Sequence, residues 1–315
     1  LTICMNQNKT LIDLRSFGAI GFQDAPNGLW LGKQNYRPQN LLLEKIIDSC
    51  IENEVNIMAI TTEDDSIRAN FPEDRFGFLA EQIKTLNSPY RGEKIDNILM
   101  LLEKDQKKVY LINAETIHPA IGDNWGGLKV QVIGRSMIPK NQSLPKLLEY
   151  CQKESLPTLL CNSGQSQISL AFAETYFDKT AAIITHDANN IFPKGVEHLP
   201  IIGKNLRKFS RSSNRGAKKL FNRLGSKNYI SEVAVSSSHY LHQIGKAGIY
   251  VDTKLLDFTS GKTILYSLNA VLASQIFQNK RGYNSTFDVL KFGFLLSKYG
   301  SDPDRFKGAQ SSYNK

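Results

Sequence analysis

Short apolar runs alternate with amphipathic stretches along most of this chain. Residues 10–14, 57–61, 95–102, 109–113, 128–133, 158–161, 181–185, 230–235 and 248–252 read as strands, each rich in Val, Ile and Leu and bounded by polar or turn residues. The runs 95–102 and 109–113 form a neighbouring pair across the charged turn Glu103-Lys104-Asp105-Gln106-Lys107-Lys108. Residues 38–53 read as a helix, with Leu41, Leu42, Ile46 and Cys50 on one stripe and Pro38 suitably placed at its start. Further helical patterns cover 76–86 (Phe78, Leu79, Ile83), 143–153, 165–177, 206–224 and 263–278, with a short helix near Tyr240. A strand followed by a helix, repeated about seven times, predicts the α/β class and a barrel of parallel strands with crossover helices rather than an open sheet. The barrel is expected over residues 1–281. Residues 282–315, rich in Gly, Ser, Asn and Lys around a helical patch at 287–298, are expected to be a C-terminal helical appendage or the start of a linker.

Composition narrows the class. With 315 residues, 41% hydrophobic and 22% charged, the chain can bury one large core or two modest ones, which excludes fibrous and disordered readings. Its longest aliphatic run, Ile98 to Leu102, has five residues, far short of the ~18–20 of a membrane span, so no membrane partner is expected. No basic-then-apolar leader opens the sequence. The four cysteines, Cys4, Cys50, Cys151 and Cys161, are too dispersed for a metal knuckle and too few for a disulfide framework, which favours a reducing, cytoplasmic compartment. The first residue is Leu and the last five are polar, as in a piece of a longer protein.

Charge changes the picture when it is divided along the chain. The net charge is +9, yet residues 1–198 carry 20 Lys+Arg against 24 Asp+Glu, whereas residues 199–315 carry 19 against 6. A near-neutral body therefore joins a basic C-terminal third. Between Lys204 and Lys227, nine cations (Lys204, Arg207, Lys208, Arg211, Arg215, Lys218, Lys219, Arg223 and Lys227) occur without an acid, interleaved with Phe209 and Phe221. Arg211, Arg215, Lys218, Lys219 and Arg223 fall largely on one helical face, leaving Leu220 and Leu224 to pack inward. Such a segment suits a nucleic-acid backbone. An acidic protein partner, or an acidic face of the same chain, would satisfy it as well. With only two aromatics, base stacking is secondary to phosphate contact.

Barrels of this class carry function at the C-terminal ends of their strands. Those ends read Asp13-Leu14-Arg15-Ser16-Phe17, Thr61-Thr62-Glu63-Asp64, Asn113-Ala114-Glu115, Cys161-Asn162, Thr185-His186-Asp187 and Ser236-Ser237-Ser238-His239. Several residues have plainer uses. Glu115 can be a strand-end carboxylate paired with a nearby cation, His239 and His242 can bond locally on a helix, and His186-Asp187 is either an acid/base dyad or a turn. His118 and His198 are lone loop histidines. Gly261-Lys262-Thr263 lacks the earlier glycine of a phosphate loop, since position 256 is Leu.

The anchors Asp13-Leu14, Ala59-Ile60-Thr61, Ala114-Glu115 and Ser236 to His239 resemble, in order and spacing over residues 10–270, the polymerase and histidinol phosphatase (PHP) family. Members show Asp-Leu-His-x-His on the first strand, Ala-Ile-Thr-Asp-His-Asp on the second, Gly-x-Glu on a middle one, a His-Pro strand end and a late Ser-Asp-Ala-His. The resemblance implies a distorted seven-unit β/α barrel, with a cluster of two or three metal ions that activates water for phosphoester hydrolysis. This chain departs from that pattern at the metal positions. Arg15 and Phe17 stand for the two histidines, Thr62 and Glu63 for Asp and His, Asn162 for a later His and Ser237 for the late Asp. Of the implied ligands Glu115 and His239 remain, with Glu63 as an oxygen substitute, whereas Zn²⁺ or Mn²⁺ takes three or four ligands from one pocket. A guanidinium in that pocket also repels a dication.

The expectation is therefore a degenerate, non-catalytic PHP-like domain without a cofactor, within a larger assembly. Arg15, Glu115 and His239 would line its vestigial pocket, with Arg15 paired to Glu115 or holding a phosphate, and the basic segment would bind nucleic acid or a phosphate-bearing partner. The alternative is an active phosphoesterase or nuclease holding Mn or Zn through Glu63, Glu115, His186 and His239. A second alternative is a structural docking subunit.

Overall fold

The computed structural model describes residues 8–16, 41–63, 74–119, 128–135, 138, 142–161, 167–188, 214–224, 230–238 and 243–282, the side chains of 41, 42, 63 and 167–170 excepted. Among the described residues, eleven strands join one sheet that curls into a nearly closed barrel. They are β1 (Lys9–Ser16), β2 (Val55–Glu63), β3 (Tyr90–Lys94), β4 (Leu99–Lys104), β5 (Lys107–Ile117), β6 (Lys129–Ile133), β7 (Thr158–Cys161), β8 (Ala182–Asp187), β9 (Ser231–Val235), β10 (Ala247–Asp252) and β11 (Gln278–Arg281). The wall runs β11-β10-β1-β2-β5-β6-β7-β8-β9, with β4 on β5 and β3 on β4.

Strands β1, β2 and β5 are parallel neighbours, as are β7, β8 and β9. Between these triplets β6 runs antiparallel to both β5 and β7, and β10 runs antiparallel to β1. The repeating strand–helix rhythm predicts parallel strands there, but among the described residues no helix separates β5 from β6, and β10 and β11 pair antiparallel although a helix, Gly261–Ser274, lies between them in sequence, so the wall is a distorted barrel. Closure comes from a bridge between Ser16 and Ser238, from the Ser237 amide donating to the Arg15 carbonyl at 2.9 Å, and from Asn279. The Asn279 side chain receives the Ala234 amide at 2.7 Å and donates to the Glu232 carbonyl at 2.9 Å, imitating a peptide group across the gap between β9 and β11.

Helices α1 (Leu41–Glu52) and α2 (Arg75–Gln82) cover one flank, where Leu43, Ile46, Ile47, Phe76 and Leu79 meet the outward residues Leu11, Met58, Ile60 and Leu111. Helices α3 (Leu144–Lys153) and α4 (Gln167–Tyr176) precede β7 and β8, and a helix over 214–224, α5, precedes β9. Helix α6 (Gly261–Ser274) lies across the N-terminal ends of the parallel strands. Ser231 Oγ at the start of β9 donates to the Leu272 carbonyl, and Asn269 Nδ2 donates to the Ser155 carbonyl, ahead of β7, at 2.8 Å. Its buried stripe Ile264, Leu268, Val271 and Leu272 closes that end of the core.

Most element positions follow the apolar pattern, and the differences have local causes. The helix pattern at 76–86 ends at Gln82 and tightens into a 3-10 turn. The strand run 95–102 is displaced to 99–104 because Asp96 accepts from the Ile98 and Leu99 amides and makes a turn of residues 95–98. Strands β3 and β11 carry mostly polar residues (YRGEK and QNKR) and show no apolar run. Helix α6 begins at Gly261, capped by Ser260, and ends at Ser274, where Gln275 takes a left-handed φ of 57°. The short helix near Tyr240 and the patch at 287–298 lie outside the described residues.

Candidate functional site

Strict alternation along β1 would place Asp13 and Arg15 on one face. The structure separates them. From Asp13 to Ser16 β1 advances three residues while its partner advances two, Met58 to Ile60, so a bulge interrupts the alternation at Leu14-Arg15. A second bulge lies in β8, where Ile184 to His186 opposes Val233 to Ala234. It leaves Thr185 outward, on Glu232, and pairs Asp187 with Val235 of the main core. Both extra residues sit at the C-terminal ends of parallel strands, at the mouth of the barrel, and they turn Arg15 and Asp187 toward each other.

The result is a triangle. Arg15 Nη1 donates to Asp187 Oδ2 at 3.0 Å and to Ser237 Oγ at 2.8 Å, and Ser237 Oγ donates to the same carboxylate oxygen at 2.8 Å. Arg15 and Asp187 are 4% and 3% exposed. Ser237 takes a left-handed φ of 47°, the conformation that delivers its hydroxyl into the pair. Beside it stands Cys161 at the end of β7; burial pushes its thiol pKa upward, Arg15 pulls it down and Asp187 adds to the rise. Deeper in, Thr61 receives a hydrogen bond from Gln131 Nε2 at 3.0 Å, and Thr116 donates to Gln131 Oε1 at 2.6 Å, so β2, β5 and β6 share a fully buried polar layer.

Asp13 occupies the outer side of β1 and is fully buried. Its carboxylate accepts from the Ser236 amide at 3.2 Å, the Ser236 hydroxyl, and the Gly245 and Arg15 amides at 3.4 Å each. Burial raises its pKa to about 6 from 3.8, against the opposing pull of those donors. A carboxyl matching the family's first-strand Asp thus ties β1 to β9 by dipoles.

The sequence-derived pocket of Arg15, Glu115 and His239 is described only in part. His239 and the side chain of Glu63 lie outside the described residues. Glu115 pairs in register with Val132, while its neighbour Thr116 pairs with Gln131, the residue of the interior polar layer. Alternation therefore sends Glu115 to the outer face of β5, where its Oε2 receives the Ile138 amide at 2.7 Å. His186 faces outward on β8, its Nε2 2.9 Å from the Gly282 carbonyl, and burial depresses its pKa against the pull of that carbonyl and Asp187. Strands β6 and β7 lie between β5 and β8, so Glu115 and His186 do not converge. Among the described residues no group of three or more His, Cys, Asp or Glu is arranged to hold a metal ion. Among the described residues, Asp187 is the carboxylate turned into the mouth, and it is engaged by a guanidinium, an arrangement that does not fit a metal cluster there.

The partners Asp187 and Ser237 of Arg15 were present in the sequence as strand-end polar residues. Their convergence was not legible, because it joins positions 172 and 222 residues apart.

Of the nine cations between Lys204 and Lys227, four fall within the described residues, on α5. Ala217 and Leu220 are buried, and Leu224 packs against the core beside them. Lys218 pairs with Glu232 and lies 5.1 Å from the Phe221 ring centre, and Arg223 pairs with Glu174. Burial pushes the Glu232 carboxyl upward, but Lys218, Arg281 and Thr185 together outweigh it and hold the pKa below the usual value. Acids distant in sequence thus neutralise two of these cations. Arg215 and Lys219 are exposed and form no ion pair among the described residues. No described helix is long and apolar enough to cross a membrane.

No protein-family model matches the sequence, and no curated protein does. Among solved structures, the chain is similar to the novel lesion-specific endonuclease PfuEndoQ from Pyrococcus furiosus, with 10% identity and a TM-score of 0.42 over 84% of this chain and 56% of that one. The chain thus spans little more than half the length of that structure.

Proposed function

We propose that this chain is a PHP-like barrel that does not carry out metal-cluster hydrolysis and that serves as a binding module for nucleic acid. The observation that carries this reading is the Arg15–Asp187–Ser237 triangle at the mouth. Where the family resemblance implies a histidine ligand, the chain holds a permanently charged guanidinium. That guanidinium takes up the carboxylate a metal would need and supplies the pocket with a fixed cation. The binding surface is the basic segment, with Arg215 and Lys219 as the exposed cations of α5 that form no ion pair among the described residues. Phosphate contacts of this kind are independent of base sequence and sensitive to salt. In this reading residues 1–281 are the binding barrel and 282–315 an appendage or linker.

The test has two arms. Binding of a fluorescent single-stranded oligonucleotide, followed by anisotropy against salt, is expected to weaken at least tenfold in Arg215→Glu/Lys219→Glu, and the slope of log affinity against log salt to fall by about 1.4. Unchanged affinity overturns the nucleic-acid reading. Stoichiometric bound metal by elemental analysis, or Mn²⁺-stimulated phosphodiester hydrolysis abolished by Glu115→Gln, overturns the non-catalytic one.

A further inference from the structure

Strand β5 carries two partners on one edge. Its first half pairs with β4, from Lys107↔Lys104 to Ile112↔Leu99, and its second half pairs with β6, from Ala114↔Ile133 onward. Asn113 bridges the seam where β4 begins and β6 ends: its amide donates to the Ile98 carbonyl at 2.8 Å, and its carbonyl accepts from the Gly134 amide at 2.6 Å. Helix α6 packs against this seam so closely that a Cβ on Gly134, at φ 101°, would fall 2.3 Å from Leu265. The start of α6 is fixed as well, because the Gly261 amide donates to Asp96 Oδ2 at 2.6 Å. That carboxylate already occupies the helix N-terminus.

Around the seam lies a cleft of about 840 Å³, within the range of small-molecule sites. Phe76, Ile98, Leu156 and Leu265 form its apolar lining. Four cations from four different elements surround it: Lys94 at the end of β3, Arg135 beyond β6, Lys153 at the end of α3 and Lys262 on α6. None of the four forms an ion pair among the described residues. The lining has two acids, and Asp74, one of them, already accepts the Gly77 amide at 2.9 Å as the cap of α2. Glu154 is the other. Tyr266 stands on the same face of α6 as Lys262, four residues on, and is 59% exposed, one of three large exposed hydrophobics among the described residues.

An apolar floor, an exposed ring and an excess of cations together match a ligand with a flat apolar part and a concentrated negative charge. We infer that this cleft binds a free nucleoside phosphate, its base against Tyr266 and its phosphates among Lys94, Arg135, Lys153 and Lys262. The site shares no residue with the mouth or with α5, so it stands or falls independently of the nucleic-acid reading.

Calorimetric titration of the full chain with ADP, alongside adenosine and inorganic phosphate, tests the assignment. The expected result is an ADP dissociation constant below about 1 mM, tighter than either fragment. Arg135→Glu/Lys262→Glu should weaken it at least ~tenfold, and Tyr266→Ala roughly fivefold or more. These three side chains are exposed, and circular dichroism verifies that each variant keeps its fold. The assignment is overturned by no ADP heat at millimolar concentration or by unchanged affinity in Arg135→Glu/Lys262→Glu. Phosphate binding as tight as ADP overturns the nucleoside part. Displacement of ADP by an oligonucleotide without terminal phosphates overturns the free ligand, and a loss of ADP binding in Arg215→Glu/Lys219→Glu would place the ligand on α5 instead.

Discussion

The two ends of the barrel are built from opposite materials. At the mouth, Asp13, Arg15 and Asp187 are buried ionisable groups, each held by a directed partner: a countercharge for Arg15 and Asp187, backbone amides and a serine for Asp13. At the base, α6 lays Ile264, Leu268, Val271 and Leu272 across the strand ends, and its polar links there are neutral side chains on backbone carbonyls at Ser231 and Asn269, and a backbone amide on the Asp96 carboxylate at its start. Apolar burial at the base contributes stability in proportion to area and tolerates small changes of shape. A buried ion pair contributes little net stability compared with apolar residues of similar size, but removing one member is costly. The base therefore holds the barrel together, while the mouth fixes where charges stand.

The largest expected effect breaks the mouth. Asp187→Ala leaves Arg15 buried without its carboxylate and is expected to cost about 3–5 kcal/mol in urea unfolding. Arg15→Met/Asp187→Leu, which removes both charges, should recover most of that loss. A double variant as unstable as the single one would mean that the pair itself stabilises the fold.

Asp13 tests the other solution. Its pKa in the folded protein is about 6, above the ordinary 3.8, so between these values the folded state binds the proton and the unfolded state releases it. Stability must then fall as pH rises from about 4 through 6. A shift of this size corresponds to about 3 kcal/mol in all. Asp13→Asn keeps a carbonyl acceptor and cannot titrate, so the stability of wild type relative to this variant should decline by that amount between pH 4 and pH 7. Equal slopes for the two proteins would show that Asp13 ionises freely.

The contrast between the ends also explains what could be read in advance. The apolar run of β7 marks a strand whose bounds agree to the residue with the structure, and α3 differs by one. Periodicity records burial, and at these elements burial decides structure. Strands β3 and β11 escape because each is a polar edge or near-edge segment, positioned by its neighbour rather than by an apolar face. The direction of β6 escapes because an apolar run carries no orientation. At the mouth, the strand-end residues Arg15, Asp187 and Ser237 are visible as polar positions, but two bulges decide which way Arg15 and Asp187 point, and a left-handed backbone decides it for Ser237. A bulge shifts register by one residue and has no signature in composition. Glu115 shows the reverse case: its place at a strand end suits a pocket, and its alternation sends it outside.

Two smaller effects sharpen the comparison at the base. Gly134→Ala imposes both a positive φ and a contact with Leu265, and is expected to cost roughly 1–3 kcal/mol by denaturant unfolding. The smallest is Ser260→Ala. The Ser260 hydroxyl accepts the Thr263 amide at 3.2 Å, and Thr263 Oγ1 accepts the Ser260 amide at 3.0 Å, a reciprocal cap on the first turn of α6. Its loss should cost about 1 kcal/mol and leave the pH dependence from Asp13 unchanged. Because Ser260 and Asp187 share no partner, their effects should add within about 0.5 kcal/mol in the double variant. A larger interaction energy would mean that the base transmits its packing to the charges at the mouth, and that the two ends are one cooperative unit rather than a scaffold and a separately positioned site.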